Sequence, residues 1–145
     1  MPKPRRPRTV LGFDHGNQRI GVAVGQEITA SAWPLVTLKH RNGAPDWDAI
    51  DQLLRDWQPD LLVLGVPRRA DGSASTSTEA ALAFGRALET RSGLPLATID
   101  ERLSSHAAEQ RLRDQGIDPG RDKAAVDRVA AALILETWLH QADAG

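Results

Sequence analysis

The stretch from Val10 to Gly25 constrains the fold more than any other part of the chain. An apolar run, Val10-Leu11-Gly12-Phe13, stops at a carboxylate, Asp14; a polar turn containing Gly16 follows, and Ile20-Gly21-Val22-Ala23-Val24 runs back. Two β-prone runs around such a turn make a hairpin. Successive strand residues face opposite sides, so Asp14 shares a face with Gly12 and Val10. A carboxylate between apolar strands is costly to bury without a partner, so either Arg19 or a cation neutralises it. The plainer alternative is that Asp14 and the glycine only make the turn.

The remaining elements follow from periodicity and punctuation. Residues 2–8 carry four basic side chains and three prolines, which resist helix and suit a loose basic tail. Residues 9–13 and 19–24 make the first two strands, and 33–38 a third, with Pro34 near its start or on an edge. Asp46 caps a helix over 47–57, where Trp47, Ile50, Leu53, Leu54 and Trp57 form one apolar face, which assigns these tryptophans to the core. Residues 61–66 are uninterruptedly apolar, as in a strand buried on both faces of a parallel sheet. Thr76-Ser77-Thr78-Glu79 fits a capping box opening a helix to about Arg91, and Gly93 and Pro95 end it. Residues 96–99 make a fifth strand, Ser104 or Ser105 caps a helix to Gln115, and the last helix starts near Lys123. That helix carries Val126, Ala130, Leu133, Ile134, Thr137 and Trp138 as its core-facing stripe.

The order β-β-β-α-β-α-β-α-α predicts an α/β fold: a five-stranded mixed sheet, its first three strands antiparallel, flanked by helices. One domain spans residues 9–141, between the basic tail of 1–8 and a short C-terminal tail of 142–145. The absence of cysteine excludes disulfides and thiolate metal sites and permits a reducing compartment. No apolar run approaches the roughly 20 residues that span a bilayer, and no signal-peptide core follows the basic start, which places the chain in the cytoplasm away from membranes. A net charge of -1 gives no global attraction to nucleic acid, so any such binding uses local patches.

Three acidic positions stand where a sheet presents its ends: Asp14 after strand one, Asp100-Glu101 after strand five, and Asp127 in the first turn of the last helix. If strands one and five lie near each other, these carboxylates converge. An oxygen-only donor set suits Mg²⁺ or Mn²⁺. A pair of such ions clamps an in-line phosphoryl displacement, one activating water and the other stabilising the leaving oxygen. Taken singly, each residue has a plainer role: Asp127 as a surface partner of Lys123, and Asp100 as a partner of Arg102.

Four motifs occur in order: Gly12-Phe13-Asp14-His15-Gly16 with Arg19-Ile20-Gly21-Val22-Ala23; Leu64-Gly65-Val66-Pro67 with Asp71-Gly72; Asp100-Glu101-Arg102-Leu103-Ser104-Ser105; and Lys123-Ala124-Ala125-Val126-Asp127 with Ala130-Ala131. Together they resemble the YqgF/RuvX family, whose members have a ribonuclease H-like fold, over about residues 10–138. The chain departs from the family pattern at Ser104-Ser105, where threonines are usual, and at Arg68 and Arg69, in a loop often more apolar in relatives. The resemblance implies a metal-dependent nuclease that trims the 5′ end of precursor 16S ribosomal RNA, with resolution of Holliday junctions in branched DNA as the alternative activity. It also implies Asp14, Glu101 and Asp127 as catalytic metal ligands for Mg²⁺ or Mn²⁺. Asp100 is the competing choice to Glu101, whose longer arm is preferred, and His15 is a turn residue beside the site. Arg19, Arg68, Arg69, Arg102 and Lys123 lie in or beside the motifs and are expected to form a basic rim that holds substrate phosphates. The expected partners are precursor rRNA or branched DNA, and ribosomal assembly intermediates.

Two other classes compete with this reading. The hairpin also resembles the phosphate loop of the sugar kinase, actin and heat-shock ATPase superfamily, but those proteins close two domains around ATP and this chain holds one. A non-catalytic RNA-binding module for ribosome assembly would have no use for crowded carboxylates.

Overall fold

The computed structural model describes residues 7–101 and 105–144. Strands β1 (Thr9–His15), β2 (Arg19–Gln26) and β3 (Ser31–Lys39) are followed by α1 (Trp47–Trp57), β4 (Leu61–Val66), α2 (Thr76–Ser92), β5 (Leu96–Asp100), α3 (Ser105–Asp114) and α4 (Lys123–Ala144). The five strands form one sheet in the order β3-β2-β1-β4-β5. β1 to β3 pair antiparallel, whereas β4 and β5 join parallel to β1 and to β4. The expected mixed sheet is therefore present.

Strand alternation divides the core in two. Leu11, Phe13, Ile20, Val22, Leu62 and Leu64 face α1 and α2, where they meet Ile50, Phe84 and Leu88. Val10, Ala23, Leu61 and Val63 face α4 and pack on Ala131, Ile134, Leu135 and Leu139. β4 is buried at every position because it lies inside the sheet with helices on both faces. β3 is one of the two edge strands, and Pro34 sits in it beside a register shift at Val22/Ala23, where a missing N–H is tolerated. Leu112 and Ala108 of α3 pack on Ala125, Val129 and Ala130 of α4.

Helix boundaries follow local chemistry. The Asp46 side chain accepts from the Ala49 N–H at 3.2 Å to cap α1, and Asp122 does the same for Ala125 at 3.0 Å at the head of α4. The box at α2 lies one residue earlier than expected. Ser75 is the cap and Thr78 its reciprocal partner, while Glu79 has no part in it. Gly93 closes α2 with φ 70°, a conformation that glycine adopts without steric cost.

Several expectations need correction. Trp57 is 39% exposed, so it is not a core residue; Trp47 is packed against the core, partly buried. In α4 Ala130 and Ile134 of the expected stripe are buried, whereas Val126, Leu133, Thr137 and Trp138 are only partly buried, and Ala125, Val129, Ala131, Ala132, Leu135 and Leu139 are buried as well. A single stripe fails there because the helix packs on the sheet and on α3 at once. α4 continues through Ala144, beyond the expected start of a tail at residue 142. Of the N-terminal basic segment, residues 1–6 lie outside the described residues; Arg8 is held by Glu27 in an ion pair of 2.6 Å.

Candidate active site

Asp14 is the penultimate residue of β1, and its partners in register are Gly21 on β2 and Gly65 on β4. Registered partners share a face of the sheet, so the carboxylate is flanked on both neighbouring strands by residues without side chains. That space is used from two directions. β5 is not adjacent to β1, because β4 lies between them. Gly65 is also in register with Ile99, and the alternation that puts Ala97 and Ile99 against α4 carries Glu101 to the same side. Glu101 is hydrogen-bonded to Asp14 from that side, while the space over Gly65 itself is taken by the Ile134 side chain of α4. Asp100 pairs in register with Val66 and belongs to the opposite face.

From the other direction, α4 approaches Gly21 so closely that a Cβ there would collide with the backbone carbonyl of Asp127. Asp127 therefore sits over the Asp14 register position, in the second turn of α4 rather than the first. Its carboxylate accepts from Arg19 Nε at 2.6 Å, with side-chain exposures of 22% and 26%. Arg19 thus answers Asp127 and not Asp14, and Lys123 is not the partner that helical spacing suggested.

Asp14 is 9% exposed. Burial, then the hydrogen bond and charge of Glu101, then the charge of Asp127 hold its carboxyl well above the usual carboxylate range. Among the described residues, no three histidine, aspartate or glutamate side chains are spaced to hold a metal ion. Two of the three expected carboxylates are joined. The third lies within electrostatic reach and is drawn aside by Arg19.

The basic residues divide by location. Arg19 and Lys123 line a groove of about 400 Å³ together with Asp127, Pro119, Gly120 and Arg113. Arg113 was not among the expected residues, because only the packing of α3 on α4 brings it there. Arg68 and Arg69 are exposed on the loop after β4, at the same end of the sheet as Asp14. That loop is turned by Gly72 N–H donating to the Arg69 carbonyl at 2.8 Å and by Arg69 N–H donating to the Ser73 carbonyl at 3.0 Å. Arg102 lies outside the described residues. His15, the last residue of β1, projects to the α1/α2 face, opposite Asp14.

An order of β3-β2-β1-β4-β5, with acidic residues gathered beyond the end of the central β1 and a helix laid across them, defines a ribonuclease H-like protein. Solved structures agree at the level of fold: *Thermus thermophilus* RuvC in complex with a Holliday junction substrate superposes with a TM-score of 0.57 at 18% identity, over 94% of this chain and 96% of that one. The fowlpox virus Holliday junction resolvase gives 0.56 at 10% identity, over 92% and 99%. The profile of the RuvX family, described as Holliday junction resolvase, matches residues 8–141, and the chain belongs to that family. Curated relatives carry the name "Putative pre-16S rRNA nuclease". The protein of *Nitrosococcus oceani* is 51% identical over 97% of this chain and 91% of its own length. That of *Azotobacter vinelandii* is 48% identical over 96% and 98%.

Proposed function

We propose that this protein is a divalent-metal-dependent nuclease that hydrolyses phosphodiester bonds in precursor ribosomal RNA, at the 5′ end of the 16S sequence, in the cytoplasm during ribosome assembly. The observation that carries this reading is the buried Asp14 carboxyl hydrogen-bonded to the half-buried Glu101, with Asp127 beside them at the carboxyl end of the central strand. The names borne by relatives at about half identity supply the substrate.

The donor set fits a hard cation. It offers only oxygen, and burial and like charge raise the pKa of the Asp14 carboxyl, a condition that Mg²⁺ or Mn²⁺ would relieve. Asp14, Glu101 and Asp127 would hold the metal, Glu101 in preference to Asp100 because it shares the face of Asp14. Such ions, bound as a pair, supply an activated water and charge stabilisation on the leaving oxygen. The chain's own residues do the rest. Arg19 fixes the Asp127 carboxylate and neutralises it until a cation competes. Arg19, Lys123, Arg68, Arg69 and Arg102 supply phosphate contacts around the acidic centre, which gives binding that weakens with salt.

The family description favours a second reading, resolution of Holliday junctions. Side-by-side cleavage of a precursor 16S rRNA fragment and a four-way DNA junction, each with Mg²⁺ or Mn²⁺, decides between them. The rRNA reading expects cleavage of the RNA at the mature 5′ end and little of the junction. Cleavage of the junction alone would transfer the assignment. Cleavage of neither, with RNA still bound, would leave a non-catalytic assembly module.

A further inference from the structure

A second cavity opens at the same end of the sheet, on the face opposite the carboxylates. It measures about 490 Å³, within the ~300–1,000 Å³ range of small-molecule sites. Its walls are rings: His15 at the end of β1, His40 just after β3, Trp47 at the start of α1 and Phe84 in α2. His15 lies 5.0 Å from Phe84 and 5.5 Å from His40 between ring centroids, and Trp47 stacks on Phe84 at 5.5 Å. The floor is small, made by exposed Ala80, Ala83 and Ala87, which recur along one face of α2.

The nuclease chemistry does not use this cavity, and the core does not fill it. Its polar groups are also unspent. Both ring nitrogens of His40 are buried without a hydrogen-bond partner, and Asn17, in the hairpin turn, is exposed at the rim. The exposed Asn17 amide offers a donor and an acceptor to an occupant, while His40 contributes its ring to the wall. The His40 backbone N–H donates to the Gln18 carbonyl at 2.9 Å, which ties this wall to the turn that follows Asp14.

We infer that this cavity is a slot for an unpaired nucleobase of the substrate strand. The inference rests on the nuclease reading above and narrows its substrate to strands with an unstacked base beside the scissile phosphate. Asp14 and His15 are consecutive, and their side chains point to opposite faces. A strand crossing the end of β1 therefore presents phosphate to one face and base to the other. Ring-lined pockets take bases that are splayed out of a single strand, whereas paired bases in a duplex arm are stacked and closed to them.

Ala83→Leu places a larger side chain on the floor at an exposed helical position, and Ala80→Leu does so one turn earlier. Folding of both is checked by circular dichroism and thermal melting. Binding is read by fluorescence anisotropy in metal-free buffer, with a labelled mixed-sequence single-stranded oligoribonucleotide and with the same oligomer carrying one abasic nucleotide at successive positions. The expected result is roughly tenfold weaker binding by both variants, and one abasic position that weakens the parent by a similar factor but not the variants. Parent-like binding by both folded variants, or an abasic scan without effect on the parent, overturns the slot. Anisotropy is independent of cleavage. If no substrate is cut and the differences persist, the nuclease reading fails and the slot stands.

Discussion

Gly21 lies against the backbone carbonyl of Asp127, so closely that the two elements leave no room for a side chain between β2 and α4. The contact sets the depth at which α4 crosses the sheet, and with it the distance of Asp127 from Asp14. Gly21→Ala forces backbone to move, which no rotamer change can absorb. The expected loss is about 1–3 kcal/mol in urea unfolding, with cleavage falling further than stability because Asp127 is displaced. A variant that keeps parent stability and activity would show that the approach is not set here.

Asp14 gives a stability prediction with a definite sign. Its folded pKa is raised above the ordinary 3.8, chiefly by burial and then by Glu101. The folded state therefore binds more protons, and this group's contribution is full below about pH 3.8 and is lost as pH rises through the folded value. At neutral pH without metal, Asp14→Asn should raise the melting temperature by roughly 3 °C for each kcal/mol relieved. The gain should vanish as pH falls toward 3.8 and shrink when Mg²⁺ is added. Calorimetric scans across pH check this, and a variant less stable than the parent at pH 7 would refute it.

Arg19 and a cation compete for the Asp127 carboxylate. Arg19→Gln frees that oxygen and should tighten Mn²⁺ binding by roughly fivefold, the worth of one partly exposed ion pair. Asp127→Asn should weaken it in the same titration. Unchanged affinity in Arg19→Gln would mean that Asp127 takes no part in binding the ion.

These residues also show where sequence reasoning reached and where it stopped. The hairpin around Asp14 and the buried β4 are local patterns, and period and turn chemistry recover them. Arg19 and Asp127 are 108 residues apart, so their pairing is set by how α4 docks and no spacing rule reports it. Gly21 and Gly65 announce a close approach without saying of what; the answer is α4, through the Asp127 carbonyl and the Ile134 side chain. The capping box slipped by one residue because Ser75 and Thr76 are both competent caps, and only the burial of Thr78 selects the register. Trp57 falls on the apolar face of α1 but stays 39% exposed, whereas Leu53 and Leu54 just before it pack against the core.

Thr78 joins the loop bearing Arg68 and Arg69 to α2. It is fully buried; its hydroxyl donates to the Pro67 carbonyl and accepts from the Ser75 N–H at 2.9 Å. Thr78→Val keeps the volume but strands both backbone groups, at a cost of about 1–3 kcal/mol. Thr78→Ser should recover most of that in urea unfolding. If valine and serine are equally stable, the hydroxyl is not what holds the loop.

The two adjacent carboxylates at the end of β5 make the most discriminating pair of variants. Glu101 shares the face of Asp14 and is hydrogen-bonded to it, whereas Asp100 is in register with Val66 on the other face. Glu101→Gln retains shape and a hydrogen bond but removes a charge from the proposed metal site. At saturating Mg²⁺, kcat/KM on the substrate that the parent cleaves should fall by at least ~100-fold, on the order of the loss when a metal centre is disturbed. Asp100→Asn should stay within roughly threefold, because its register places it on the face away from Asp14. Because both substitutions are isosteric, melting temperatures near the parent's would assign the difference to chemistry rather than folding. The reverse order, with Asp100→Asn the more damaged, would place the ligand on the α1/α2 face and break the proposed triad of Asp14, Glu101 and Asp127.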